Sequence, residues 1–117
     1  MKHRVNFPTL HRKRDQRIAL IRNMANHFIM HERITTTKAK AKATQRFVEK
    51  IITKAKKQDL AAFRLIRSRL PEMSTKKAYY DLAKRYENRK GGYTRILKIE
   101  TTKQKDGSPL VILDLVK

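Results

Sequence analysis

The chain has 117 residues, enough for one domain built on one modest core. Thirty Lys and Arg against ten Asp and Glu give a formal net charge of +20. That self-repulsion opposes compaction and calls for an anionic partner, nucleic acid first and an anionic membrane surface second. Cysteine is absent, which excludes a disulfide framework and a thiolate metal site, and the longest apolar runs are too short to cross a bilayer.

Residues 1–10 have no stable period and are interrupted by Pro8; with Lys2, His3 and Arg4 they read as an extended basic arm that orders on binding. Arg12, Lys13, Arg14 and Arg17 then lead into a helix that ends near His31, with Ile18, Ile21, Ala25, Phe28 and Ile29 as its apolar stripe. Cations at a helix N-terminus oppose the helix dipole, and phosphate contact is a use that would repay the cost. From Arg33 to Thr36 the β-branched residues favour a short strand, and one of Thr35 to Thr37 is expected to cap the next helix.

That second helix, about Lys38 to Lys57, is the clearest amphipathic element. Thr44, Phe47, Val48, Ile51, Ile52 and Ala55 share one face. Lys38, Lys42, Arg46, Lys50, Lys54 and Lys57 fall mostly opposite, with Glu49 the only acid. Like charges four residues apart destabilise a helix, so the missing acids point to a partner outside the chain. Lys38, Lys40 and Lys42 add charge to the free amides and dipole of the helix start, which makes a phosphate-binding surface.

A third helix is expected from Asp59, its N-cap, to Leu70, with Leu60, Phe63, Leu65 and Ile66 as apolar contacts and Pro71 as its stop. Ser74 or Thr75 is expected to cap a fourth, carrying Ala78, Tyr79, Leu82, Ala83 and Tyr86, which Gly91-Gly92 terminates. Tyr93 to Thr101 and Leu110 to Val116 read as a hairpin turned at Asp106-Gly107-Ser108-Pro109. Leu97 and Ile99 share a face, as do Val111, Leu113 and Leu115, and Ile34 supplies a third strand. The expected fold is α+β: one domain over 1–117, about four helices on one face of a small three-stranded sheet, with the basic arm in front.

The chemistry of catalysis finds no carrier. His27 and His31 share a helix face, but the glutamate of a zincin motif is missing between them, and they read as surface or RNA-facing polar residues. Gly91-Gly92 precedes a strand rather than a helix, so it is no nucleotide loop. It does lie among Arg89, Lys90 and Arg95, where its bare backbone would admit a close neighbour and Tyr93 could stack on a base or sugar. The alternative is a plain helix stop with Tyr93 in the core.

Two stretches carry a family resemblance. His31-Glu32-Arg33-Ile34-Thr35-Thr36-Thr37-Lys38-Ala39-Lys40-Ala41-Lys42 closely resembles a motif of the bacterial-type large-subunit ribosomal protein seventeen family. Arg89-Lys90-Gly91-Gly92-Tyr93-Thr94-Arg95-Ile96 resembles a second, in the right order. Where the family commonly has acids, this chain has Thr35 and Ala43, and it has Lys38 in place of an aliphatic residue; Val5 to Gln16 match poorly. The resemblance implies a non-enzymatic protein at the outer large-subunit surface near the nascent-chain exit, contacting large-subunit rRNA and neighbouring ribosomal proteins. Carried over by position, it points to His31, Arg33, Thr36, Lys40, Lys42, Arg89, Gly91, Gly92, Tyr93 and Arg95.

With the residue-based reading this gives an RNA-binding set of Lys2, His3, Arg4, Arg12, Lys13, Arg14, Arg17, Lys38, Arg46 and Lys90 beside those ten. No cofactor, metal, membrane or small-molecule substrate is implied, and the expected location is a bacterial or organellar ribosome. The rival reading is a nucleoid-type DNA binder with the second helix in a groove.

Overall fold

The computed structural model describes residues 13–102, 107 and 109–117. The arm at 1–10 and Arg12 lie outside the described residues, as do Asp106 and Ser108 of the expected hairpin turn. Helix α1 (Arg14–His31) leads to strand β1 (Arg33–Thr37), helix α2 (Lys38–Ala55) and helix α3 (Leu60–Arg67). A fourth helical segment changes winding twice along its length. It is α-helical at Glu72–Lys76 (α4), π-helical at Lys77–Leu82 and α-helical again at Ala83–Arg85 (α5). Strands β2 (Thr94–Thr102) and β3 (Pro109–Leu115) complete an antiparallel sheet of order β1-β3-β2. The α+β expectation, with Ile34 in a third strand, holds.

The core sits between the inner sheet face and the helices. Ala25, Phe28 and Ile29 of α1 meet Val48, Ile51, Ile52 and Ala55 of α2, with Ile66, Leu70, Ala78 and Leu82 closing one side. Val111, Leu113 and Leu115 alternate inward along β3. Their neighbours across the sheet are Ile34 and Ile96, both opposite Leu113. Ile96, rather than Leu97, is therefore the β2 residue packed on the core, and Leu97 pairs with Ile112 on the outer face.

Three local expectations are corrected. Thr37 is the N-cap of α2, but its side chain makes no capping hydrogen bond. Ser74 and Thr75 lie inside the fourth helix, which starts after Pro71. Their hydroxyls donate back to the Pro71 carbonyl, and Thr75 also donates to Leu70, which is why both can be buried. Leu60 is 61% exposed and adds little to the core. The Asp59 cap does form, its carboxylate accepting from the Ala62 amide at 2.7 Å.

One ion cluster fastens the α1–β1 corner to the fourth helix. Glu32, in the left-handed region at φ 66°, receives Arg85 at 2.6 Å and Lys77 at 2.9 Å. These hydrogen bonds, Arg85 first, hold the Glu32 carboxyl down from the ordinary 4.5 to about 2. A depressed folded-state value adds stability that is complete above the unfolded pKa and fades as pH falls through the folded one. Thermal melts from neutral pH down to about pH 2 should therefore show a smaller acid-induced loss for Glu32→Gln than for the unaltered protein. Equal losses would remove Glu32 as a contributor.

Candidate nucleic-acid interface

The cations fall into two groups, those held by the fold and those left to solvent. Arg33 and Arg95 stand on strands either side of β3, and both reach Asp114, at 3.3 and 3.1 Å. Burial pushes the Asp114 carboxyl up, but the two guanidinium groups outweigh it and its pKa falls below the ordinary range. One carboxylate thus orders two arginines and leaves the trio a positive charge. Both arginines are about half exposed, so the ordering does not hide them.

The glycine loop is held by its own basic residues. The Arg89 Nε donates to the carbonyls of Gly91 and Gly92, each at 3.2 Å. Lys56 spans the loop from α2, donating to the Arg89 carbonyl and to the Tyr93 hydroxyl. Gly92 has φ +63°, a conformation that favours glycine, while Gly91 does not; an added Cβ would meet nothing within 4 Å at either position. Gly92→Ala should thus cost about 1 kcal/mol by chemical denaturation and Gly91→Ala less. Equal costs would show that backbone conformation is not the reason for Gly92.

Tyr93 is 1% exposed, with its ring 5.3 Å from that of Tyr86 and 5.1 Å below the Lys56 ammonium. Its ring belongs to the core and offers no open face to a base. Lys90, three residues earlier, is exposed.

At the start of α2 the arrangement is opposite. Lys38 and Lys42 are exposed and Lys40 is half-buried. Among the described residues no carboxylate pairs with any of the three. The first turn of α2 contains no acid, and Thr37 leaves its amides uncapped. Lys38, Lys42 and Arg46 wall a shallow depression floored by Ala39 and Ala43, with a volume near 520 Å³. Glu49, the acid of this helix, is turned inward, accepting from the Thr94 amide and hydroxyl at 3.3 and 2.8 Å. It ties α2 to β2 and makes no ion pair with a lysine among the described residues.

Of the remaining expected residues, Lys13 and Arg14 are exposed at the α1 entrance, Arg17 is half-buried, and Thr36 is half-buried in β1. His31 is exposed and stacked on His27 with centroids 6.1 Å apart. Among the described residues no cluster of His, Asp and Glu could hold a metal ion, and no helix is long and apolar enough to cross a membrane. Sequence reasoning missed the Asp114 trio and the Glu32 cluster, because each joins residues more than fifty positions apart. It read Arg67 and Arg69 as outward or flanking and gave neither them nor Arg22 a binding role, since their meeting depends on the turn after α3.

A small α+β domain in which Glu32, Glu49 and Asp114 serve internal ties while the start of α2 stays cationic is of the class of basic domains with an outward-facing positive surface. Comparison narrows the class. The family described as Ribosomal protein L17 matches residues 20–116. The large ribosomal subunit protein bL17 of Hydrogenobaculum sp. (strain Y04AAS1) is 43% identical, and that of Thermus thermophilus 41%, each with both chains covered in full. The bL17 of Novosphingobium aromaticivorans is 44% identical over 99% of this chain and 82% of its own. The chain belongs to the ribosomal protein L17 family, whose members are structural and non-enzymatic.

Proposed function

We propose that this protein is a structural constituent of the large subunit of a bacterial ribosome, binding large-subunit rRNA through phosphate contacts and touching neighbouring ribosomal proteins. The observation that carries the reading is the start of α2: three lysines without a carboxylate partner among the described residues, beside amides that no side chain caps. Each phosphate neutralised there releases condensed counterions, so binding is driven largely by entropy and weakens steeply with salt. The ordered guanidiniums of Arg33 and Arg95 suit bidentate phosphate contact, whereas the lysines act as looser point charges. Selectivity comes from the shape of folded rRNA rather than from base edges. A position near the nascent-chain exit rests on the two motif resemblances alone.

Sucrose-gradient sedimentation of native extract at moderate salt tests the reading. The protein should travel with the large subunit and leave it as salt is raised. Absence from those fractions, or travel with free DNA, would overturn the assignment in favour of a nucleoid protein.

A further inference from the structure

The lysines at the start of α2 occupy one end of the α1–α2 pair; a second cationic surface lies at the other. Around the turn after α3, Arg22, Arg67 and Arg69 line a cleft of about 480 Å³ against the first half of α1, with Leu70 and Pro71 as part of its floor. Arg69 also lines a second groove, of about 360 Å³, with Lys50 and Lys54 on the last half of α2, Lys57 just past its end, and Gly91. Arg69 thus borders both depressions, which adjoin there as one cationic trough.

The acids in that trough do not cancel its charge. Asp15 and Glu49 set two carboxylates against the six cations Arg22, Arg67, Arg69, Lys50, Lys54 and Lys57. Arg67 spends one donor on the Leu70 carbonyl at 3.2 Å, which fixes the turn that presents Arg69. Among the described residues, no ion pair involves Arg22, Arg69, Lys50, Lys54 or Lys57. A concave track of net positive charge beside bare Gly91 backbone fits the chemistry of a phosphodiester chain.

We propose that this trough is a second seat for an RNA phosphodiester backbone, separate from the one at the start of α2. From Lys38 to Lys54 the helix rises on the order of 24 Å, so the two seats engage phosphates more than a duplex width apart and the protein braces RNA at two points. The proposal rests on the rRNA reading above and extends it to residues that reading does not use.

The test compares two neutralised proteins, Arg22→Gln/Lys57→Gln/Arg69→Gln in the trough and Lys38→Gln/Lys42→Gln at the start of α2. Each is titrated with purified bacterial large-subunit rRNA across a salt series and then footprinted with hydroxyl radicals. All five side chains are exposed, so thermal melts should match the unaltered protein, and the single Arg69→Gln change serves if the triple one does not. The trough variant should bind at least about tenfold more weakly near 0.1 M salt, with a salt slope lower by about two to three. It should also lose protected nucleotides that the other variant keeps. Unchanged affinity, slope and footprint would overturn the second seat while leaving the rRNA reading intact. If the unaltered protein showed no preference for large-subunit rRNA over duplex DNA, the rRNA reading itself would fall, and this proposal with it.

Discussion

Lys38→Glu/Lys42→Glu should weaken binding to large-subunit rRNA by about a hundredfold near 0.1 M salt and lower the salt slope by about two. Both side chains are exposed and lack a carboxylate partner among the described residues, so the change removes two phosphate contacts without breaking an internal tie. Acids near a helix N-terminus are favourable to the dipole, and each contributes some tenths of a kcal/mol at an exposed site. The doubly altered protein should therefore be at least as stable as the parent while binding less. That opposition is the diagnostic: a solvated face would show gained stability with unchanged binding, and such a result would remove α2 from the interface. Affinity is read by filter retention at several salt concentrations, and stability by denaturant unfolding.

Tyr93→Ala carries the largest expected effect on the fold itself. The ring fills core volume against Tyr86, and its removal should cost about 3–5 kcal/mol, by analogy with aromatic truncations in other cores. The same change strips Lys56 of its hydroxyl acceptor and of the ring beneath it. Tyr93→Phe keeps the ring and should cost only about 1 kcal/mol. Because the ring is buried, Tyr93→Phe should leave rRNA affinity unaltered. A loss of binding with stability intact would instead return Tyr93 to the interface.

Much of the architecture is legible in the order of residues, because apolar spacing is a local signal. Phe47, Val48, Ile51 and Ile52 announce the inner face of α2, and Asp59 announces the next helix by cap chemistry that needs four residues. Where two local patterns compete the sequence loses its voice. In β2, Ile96 and Leu97 are equally apolar, and the register opposite Leu113 decides between them. Thr37, Ser74 and Thr75 all look like caps, yet the latter two find nearer carbonyls at Pro71 and Leu70. The basic interface is legible as an excess of charge, not as a division of labour. Which arginines are ordered by Asp114, and which lysines have no acid near them, depends on a sheet that brings Arg33, Arg95 and Asp114 together from both ends of the chain.

The strand order has a consequence for synthesis. Because β3 lies between β1 and β2, neither of those can find its hydrogen-bonding neighbour until the last strand has been made. The helices can collapse during translation, but the sheet can close only after Pro109–Leu115 has emerged. A copy lacking Pro109–Leu115 thus keeps two strands without their hydrogen-bonding neighbour rather than a smaller working domain.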